Sequence, residues 1–495
     1  MTTSIEPRLP PSLAQALVRA AGPGCAVIGP SLRHLLLGRP VSVLQVAVVD
    51  DPERVARLLA VELAGAVTGT DEGTRVTLPT AVYGVRTVDL IPVHEPLADW
   101  LLAREFTVDA IAWRPADGAF VDPADGLADL TARLVRLTRP ERAEEQPLCA
   151  LRAAALAVEL DGRIVDESAA AMRQHAARIG TAPGSAQRDA LIAVLDLHAA
   201  ARALRLVDDL GALDPLLPEL VPGKGCTQPR EHYYDVFDHL IETVAVLDVL
   251  LGPEPADGPW RGRFRLLWRV LPDAAALRAR YEREIAPGRT HRALLKLAGL
   301  LHDVSKPETR TVQPNGRVRF FGHEDLGAHR AAAIMTRLAF TANEIELVTR
   351  LVKNHLRPGQ LAGPGAAPTS RALARFFRDL GEAAPDLLLL NLADHAAARG
   401  PALTERGWAE HVAYVAWVLA NRPAPPAPPP RPLVTGHDLM AALNLPPGPL
   451  IGRLLHAIRE AERHGLVRTR EEALALARER MTAGSEVPAP ASGRV

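Results

Sequence analysis

Two histidines and two aspartates in the middle of the chain have the types and the spacing of a metal-binding set. His302 and Asp303 are adjacent at the end of an apolar run, His239 precedes them, and Asp394 follows on a later Leu/Ala-rich stretch. Imidazole nitrogens and carboxylate oxygens suit Mn, Fe, Co, Ni or Mg, and no thiolate is placed nearby to select zinc. The pattern predicts that these four side chains bind a divalent metal ion.

This order of ligands resembles that of the HD metal-dependent phosphohydrolases. The resemblance implies an all-helical HD domain, to which we assign residues 228–421. It also implies that His323, in a Gly-His-Glu run, and His355, in an Asn-His run, supply ligands for a second metal. The sequence leaves open whether one or two ions bind per chain.

Such a site predicts hydrolysis of a phosphoester. A metal-bound water ionises near neutral pH and attacks phosphorus, while the metal stabilises charge on the phosphoryl oxygens. Asp303 and Lys306 are the predicted catalytic residues: Asp303 as metal bridge and proton acceptor, Lys306 as a point charge for a phosphate oxygen. The substrate implied is a nucleotide or an RNA end.

Upstream motifs carry a second resemblance. A Leu-Leu-Gly-Arg-Pro run at 36–40 follows Gly29 at a fixed distance, Arg-Glu-Phe-Thr-Val-Asp-Ala occupies 104–110, and an Asp-Pro run with a later Asp-Leu occupies 122–130. These motifs resemble the catalytic head of bacterial tRNA nucleotidyltransferases and poly(A) polymerases. The residues predicted to retain weak nucleotide or RNA binding are Gly29, Arg33, Asp89 and Arg104.

The head departs from the family pattern where chemistry would occur. The two metal-binding aspartates of the family fall at Val43 and Gln45, and neither side chain binds a cation as a carboxylate does. Pro30 replaces a glycine of the phosphate turn and removes a backbone N–H. The base-reading Asp and Arg of the family fall at Gln146 and Cys149.

These departures favour a metal-dependent HD phosphohydrolase whose polymerase head has lost its activity. One alternative is an active tRNA nucleotidyltransferase, CCA-adding or poly(A) polymerase-like, which would need carboxylates from elsewhere, such as Asp50 or Asp51. A second alternative is a non-catalytic RNA-binding scaffold. Nucleotide, RNA end or tRNA is the expected partner in each case.

Composition limits the wider setting. The chain has 495 residues, a formal net charge of −1 and three cysteines without a CxxC pair. This balance gives no overall basic field for nucleic acid, and the cysteines indicate neither a zinc ribbon nor a disulfide framework. The start of the chain lacks a signal-peptide pattern, and its apolar runs are too short for a bilayer. A cytoplasmic protein with no membrane partner is expected, and the oligomeric state stays open.

The expected fold class is multidomain α/β plus all-α: an α/β nucleotidyltransferase-like head, a helical neck, an all-helical HD domain and a small helical C-terminal tail. The tail resembles the family in its Gly-x-Asp-Leu-Met and Pro-Gly-Pro-x-Ile-Gly signatures, which begin at Gly436 and Pro447. The predicted boundaries are head 1–140, neck 141–227, HD domain 228–421, proline-rich linker 422–432, tail 433–482 and a disordered end 483–495.

Overall fold

The computed structural model describes residues 7–70, 73–82, 84–94, 96–362, 367–423 and 432–482. Most of the predicted proline-rich linker and all of the predicted disordered end lie outside the described residues. The chain forms two compact units, Met1–Arg422 and Pro423–Val495.

The first part of the larger unit is built on one mixed sheet. Its strands are β1 Ala26–Ile28, β2 Val43–Val48, β3 Ala66–Thr70, β4 Gly73–Val82, β5 Val85–Pro92, β6 Ala112–Trp113 and β7 Phe120–Val121. Its helices are α1 Pro11–Ala21, α2 Gly29–Leu36, α3 Pro52–Leu63, α4 Leu97–Leu102 and α5 Gly126–Thr131. The strand order is β3-β4-β5-β2-β1-β6-β7, and within it only β2 and β5 run parallel.

The pairing of β2 with β5 sets the positions at which the head could do chemistry. Gln45 lies opposite Asp89, and Leu44 lies opposite Val88. Because side chains alternate along a strand, Leu44 and Val88 face the buried core, while Gln45 and Asp89 share the other face. The sheet therefore holds an amide and a carboxylate side by side.

Helices dominate after the sheet. The head ends with β8 Leu134–Val135, and the neck contains α6 Arg142–Glu145, α7 Cys149–Glu159, β9 Arg163–Ile164, α8 Asp166–His175, α9 Gly184–Leu195, α10 Ala200–Asp209 and α11 Leu213–Leu216. The next block contains α12 Val236–Leu251, α13 Gly258–Val270, α14 Ala274–Glu282, β10 Glu284–Ala286, β11 Arg289–Thr290, α15 His291–Leu301, α16 Lys306–Thr309, β12 Arg310–Val312, β13 Val318–Phe320, α17 His323–Arg337, α18 Ala342–Asn354, α19 Arg357–Gln360, α20 Ser370–Leu380, α21 Ala384–Arg399 and α22 Glu405–Ala420.

One hydrophobic core runs through both of these helical blocks. It extends without a break from Phe106 and the neck leucines to Val418 on α22. The backbones also approach closely, since a Cβ on Gly184 of α9 would come within 2.2 Å of the Arg337 carbonyl oxygen on α17. The neck and the following helices therefore pack as one body.

A buried ion pair ties α15 to the neck. Lys296 is fully buried, and its Nζ lies 2.7 Å from Asp248 Oδ1 on α12 and donates to the carbonyl of Leu197 in the neck at 2.5 Å. On the same helix Arg292 pairs with Asp196 at 3.1 Å. Removing one member of such a pair strands the other charge in a medium of low dielectric constant.

We expect Lys296→Ala to lower the free energy of unfolding by about 3–5 kcal/mol, because Asp248 would remain buried without its partner. The matched control is Lys353→Ala, which removes an exposed lysine 3.0 Å from Asp325 and should cost less than about 1 kcal/mol. Thermal and denaturant unfolding of both variants measures the difference. Equal losses of stability would show that the buried pair contributes no more than a surface pair.

Residues 432–482, the part of the C-terminal unit that the structure describes, fold as three helices. These helices are α23 Gly436–Leu443, α24 Pro449–Arg463 and α25 Arg470–Thr482. Thr435 and Asp438 form a reciprocal cap at the start of α23, and Leu439, Leu454 and Ala473 lie in its core. The capping signal and apolar periodicity explain why this segment folds as helices.

The expected fold class is confirmed: an α/β head is followed by helical blocks and a small helical tail. Among the helices of the described residues, none has the length and apolarity needed to cross a bilayer.

Candidate functional site

Three packed helices position the predicted metal ligands. His239 lies in the first turns of α12, whose N-terminus is capped by Asp235 accepting from the Asp238 N–H at 2.7 Å. His302 and Asp303 follow directly after α15, and Asp394 lies in the third turn of α21. Since α15 packs against both α12 and α21, these ligands from distant parts of the sequence are brought to one point.

The first group of side chains has ligand atoms within a few ångströms of one another. His239 Nε2 lies 3.3 Å from His302 Nε2 and 3.4 Å from Asp303 Oδ2. Asp394 Oδ1 lies 3.2 Å from His239 Nε2 and 3.7 Å from His302 Nε2. Such mutual distances are compatible with ligand atoms each about 2 Å from one ion.

A second group shares Asp303 with the first. Asp303 Oδ1 lies 3.2 Å from His323 Nε2 and 3.5 Å from His355 Nε2, and the two imidazole nitrogens are 3.2 Å apart. All three residues are buried. One carboxylate therefore faces both groups, with a different oxygen toward each, as a bridging ligand would.

Backbone carbonyls orient three of the histidines. Nδ1 of His302 contacts the Gly299 carbonyl at 2.8 Å, Nδ1 of His323 contacts that of Phe320 at 2.6 Å, and Nδ1 of His355 contacts that of Val352 at 2.7 Å. Only a protonated Nδ1 can donate to a carbonyl, so the neutral form of each ring presents the lone pair of Nε2 to the cluster. These are the outer contacts that fix metal-binding histidines in proteins.

The electrostatics of the cluster also favour a cation. Burial alone would lower the pKa of His302, but the carboxylates of Asp303 and Asp394 outweigh it and raise that pKa to about 10. Burial would raise the pKa of Asp303, but His302 and Lys306 hold it well below its ordinary value. A bound metal would take the place of the proton on His302, so the affinity of the cluster for metal should fall as the pH is lowered.

Lys306 is held by the cluster. Its Nζ lies 2.5 Å from Asp303 Oδ2 and donates to Gln228 Oε1 at 2.7 Å. The residue is buried, but it lines the cleft above the cluster. Its ammonium group therefore pairs with Asp303, and its position in the lining of the cleft would also let it contact an anion bound there.

The cleft, of about 470 Å³, also contains residues that the sequence did not single out. The rings of His395 and His411 stack with their centres 4.2 Å apart, and Nε2 of His411 lies 2.9 Å from Oδ1 of Asn391. Neither histidine belongs to a sequence motif that would predict these contacts. The additional polar and aromatic lining residues are Glu231, His232, Arg319, Phe320, Phe321, Asn391, His395, Arg399 and His411.

A second pocket, of about 610 Å³, lies between the head and the neck. Arg33, predicted as a weak binding residue, is buried there and forms ion pairs with Asp109 and with Glu159 on α7. Arg104, also predicted, lines the pocket with its guanidinium 3.8 Å from the centre of the Trp100 ring. The structure therefore brings both arginines to one cavity.

The base-reading region has a polar chain in place of the family pattern. Arg152 makes a bidentate ion pair with Glu105, at 2.6 and 2.9 Å, and donates to Gln146 Oε1 at 3.4 Å. All three residues line the second pocket. Hydrogen-bond donors and acceptors are thus present even though Cys149 is buried in the core.

The other two predicted head residues, Gly29 and Asp89, are both neighbours of Gln45. Gly29 has a φ of +62°, and a Cβ there would come within 2.9 Å of Gln45 Oε1, so the Gln45 amide lies over the turn that leads into Pro30. Pro30 itself lines the pocket. Asp89 is a half-buried neighbour of Gln45, held by a bidentate contact with Arg75 at 2.6 and 2.8 Å.

The aspartates considered as substitutes lie elsewhere. Asp50 pairs with Arg54 on the surface, and Asp51 caps α3 by accepting from the Glu53 N–H. Asp50 lies in a bend, two residues beyond the end of β2. These two carboxylates therefore do not join Asp89.

Comparisons with known proteins agree with this architecture. The profile of the HD domain matches residues 267–399, and a profile described as tRNA nucleotidyltransferase domain 2 matches residues 429–477. The combined sheet, histidine–aspartate cluster and tail define a nucleotidyltransferase-like protein with an HD domain.

Relatives along nearly the whole chain make the assignment specific. The A-adding tRNA nucleotidyltransferase of Deinococcus radiodurans is 36% identical over 464 residues, covering 92% of this chain and 94% of the relative. The CC-adding tRNA nucleotidyltransferase of Thermus thermophilus is 33% identical over 456 residues, covering 90% and 92%. The chain belongs to the bacterial tRNA nucleotidyltransferase family.

Solved structures of low sequence identity share the fold. The Thermotoga maritima CCA-adding enzyme complexed with tRNA superposes with a TM-score of 0.53 at 16% identity, over 95% of this chain and 94% of that one. A CCA-adding enzyme in complex with ATP gives 0.53 at 16% identity, over 97% of each chain.

These findings correct the function expected from the sequence. The interpretation as a phosphohydrolase with an inactive head is wrong, because full-length relatives are named for adding A or CC to tRNA and the structural neighbours are CCA-adding enzymes. The findings favour the alternative of a tRNA nucleotidyltransferase. The departures at Val43 and Gln45 are local, whereas the relatives match along nearly the whole chain.

Proposed function

We propose that this enzyme transfers a nucleotide from a nucleoside triphosphate to the 3′ end of tRNA. The observation that carries the proposal is the 36% identity to an A-adding tRNA nucleotidyltransferase over 92% of the chain. The pocket between head and neck is the proposed nucleotide site, because it contains Arg33 and Arg104 and includes Pro30, which follows the Gly29 turn after β1.

The residues of this pocket suit a triphosphate and a base. Arg33 and Arg104 supply planar guanidinium groups, which bind phosphate oxygens with two parallel hydrogen bonds. Glu105, Arg152 and Gln146 supply acceptors and donors for the edge of a base. Binding in the pocket would hold the α-phosphorus and the 3′-hydroxyl of tRNA in one orientation, and orientation by itself lowers the barrier.

The donor set of the sheet fits one divalent ion. Asp89 and Gln45 present a carboxylate and an amide oxygen from paired positions on one face, and both are ligands that hard cations accept. An ion there supplies neutralisation of phosphoryl charge. To bind the ion, Asp89 would have to give up its ion pair with Arg75, whose guanidinium neutralises this carboxylate in the free protein.

The direct test is incorporation of label. Purified chain is incubated with Mg²⁺, labelled ATP or CTP, and three tRNAs that end before CCA, after the first C, or after CC. We expect label to enter tRNA, and the preferred end and nucleotide identify the step performed. No label with any pair of tRNA and nucleotide, under conditions in which an established family member reacts, would overturn the proposal.

We further propose that the histidine–aspartate cluster binds divalent metal. The proposed ligands are His239, His302, Asp303, His323, His355 and Asp394, with Asp303 shared. Two features support this assignment: the mutual distances of the six side chains, and Asp303 Oδ1, which is buried and has no hydrogen-bond donor within the described part of the chain. A metal bound there would activate water and neutralise phosphoryl oxygens, with Lys306 beside it.

The division of the chain is part of the same proposal. We assign 1–140 to the nucleotidyltransferase head, 141–227 to the neck and 228–421 to the HD domain, with 433–482 as the tail. The HD profile supports the third assignment, since 267–399 lies inside it.

A further inference from the structure

The helix α13 has a composition unlike its neighbours. Its thirteen residues include four arginines and no aspartate or glutamate. The whole chain, in contrast, has a formal net charge of −1. Three of the arginines, Arg261, Arg265 and Arg269, are spaced four residues apart and so follow one side of the helix over about 12 Å.

Aromatic contacts fix how this helix is presented. Trp260 packs edge-on against Trp408 of α22 at 5.6 Å, and Phe264 and Leu267 are buried. The indole N–H of Trp268 donates to the Leu250 carbonyl at 3.0 Å. These contacts hold one face of α13 against the protein, and they leave Arg261, Arg265 and Arg269 exposed to solvent.

The three arginines are exposed and only partly neutralised. Arg261 and Arg265, with 45% and 58% of their side chains exposed, both contact Glu254, at 3.2 and 2.6 Å. Arg269 is exposed and has no acidic partner among the described residues. One carboxylate thus pairs with two of the three guanidinium groups, and the surface keeps an excess of positive charge.

We propose that the stripe of Arg261, Arg265 and Arg269 binds the phosphate backbone of the tRNA substrate. The proposal rests on the proposed function for the identity of the RNA. Guanidinium groups match phosphate oxygens geometrically, and a row of them at about 6 Å intervals can contact successive phosphates without reading bases. A rigid helix loses little conformational entropy when the backbone docks, since only the side chains must be ordered.

The surface is separate from the two candidate sites. None of the three arginines lines the nucleotide pocket or the cleft over the metal cluster. Its role is therefore to hold the body of the tRNA, and its removal should weaken binding without altering the transfer step on saturated enzyme.

The test is binding of labelled tRNA to the full chain across a range of salt concentrations. The variant carries Arg261→Gln, Arg265→Gln and Arg269→Gln together. We expect about ten-fold or greater weakening at physiological salt, and a salt dependence of log K that is shallower by about 2 to 3, because each lost phosphate contact removes close to one released counterion. At saturating tRNA the rate of nucleotide incorporation should match that of the unaltered chain.

A matched control carries Arg371→Gln, Arg375→Gln and Arg378→Gln on α20, which removes the same charge from another exposed helix. It should bind tRNA as the unaltered chain does, and unchanged unfolding temperatures exclude misfolding of either triple variant. Equal weakening of tRNA binding in both triple variants, or unchanged tRNA binding in the α13 variant, would contradict the proposal that the stripe binds tRNA. Failure of the unaltered chain to bind tRNA would instead count against the proposed function.

Discussion

Replacing Asp89 with alanine is expected to lower the rate of nucleotide incorporation into tRNA at least about a hundredfold, because electrostatic groups that act on the reacting phosphate are each worth two to three orders of magnitude. Asp89 is the carboxylate that pairs in register with Gln45, whose amide lies over the Gly29 turn before Pro30 of the nucleotide pocket. Its loss would leave only an amide oxygen to hold a cation at this position.

Asp50→Ala serves as the control for this experiment. Asp50 is exposed, pairs with Arg54 and lies two residues beyond the end of β2. Its replacement should leave the rate unchanged. If Asp89→Ala retained the rate of the unaltered chain, the carboxylate that supports transfer would have to lie elsewhere, and the proposed ion position would be wrong.

Replacing Asp303 with alanine is expected to remove all metal from the histidine–aspartate cluster. Asp303 faces both groups of ligands, so both lose a charged oxygen at once, whereas His355→Ala should remove only the ion held by the second group. Inductively coupled plasma mass spectrometry of chain purified with added Mn²⁺ or Co²⁺ gives the number of ions per chain.

His329→Ala provides the comparison, since this histidine is exposed on α17 and does not belong to the cluster. It should retain the metal content of the unaltered chain. Full metal content in Asp303→Ala would rule out the bridging role, and an equal loss in His355→Ala and Asp303→Ala would show that the two groups do not bind separate ions.

The geometry of the cluster was accessible from sequence because its residues carry motifs. An adjacent His-Asp pair after an apolar helix has few structural explanations, and the structure brings His239, Asp394, His323 and His355 around it. The role of these side chains as ligands stays a prediction. Helix packing of α12, α15 and α21 follows from their apolar faces, so the element pattern alone anticipated the all-helical block.

Other parts of the site had no signal in one sequence. His395 and His411 lie sixteen residues apart by number and stack only because α21 and α22 pack together. Arg75 and Asp89 meet through strand pairing, which depends on register. Contacts of this kind are set by tertiary structure, and local spacing does not reveal them.

The wrong functional conclusion has a physical origin as well. The absence of two aspartates does not exclude activity, because Asp89 and Gln45 share one face of the sheet and Arg33 and Arg104 line the pocket that contains Pro30. A reaction that is catalysed by orientation and distributed charge can tolerate the exchange of one donor for another more readily than a motif suggests.

The ion pair between Lys296 and Asp248, with its link to Leu197, bears on how this protein can be dissected. Cutting the chain between 227 and 228 to isolate the HD domain would delete the carbonyl that Lys296 contacts and uncover one side of the helix leading to His302. A fragment made this way would be an unstable piece of a larger folding unit. A fragment intended for crystallisation or metal titration should therefore begin before α9, so that it keeps Leu197 and the helices that cover α15.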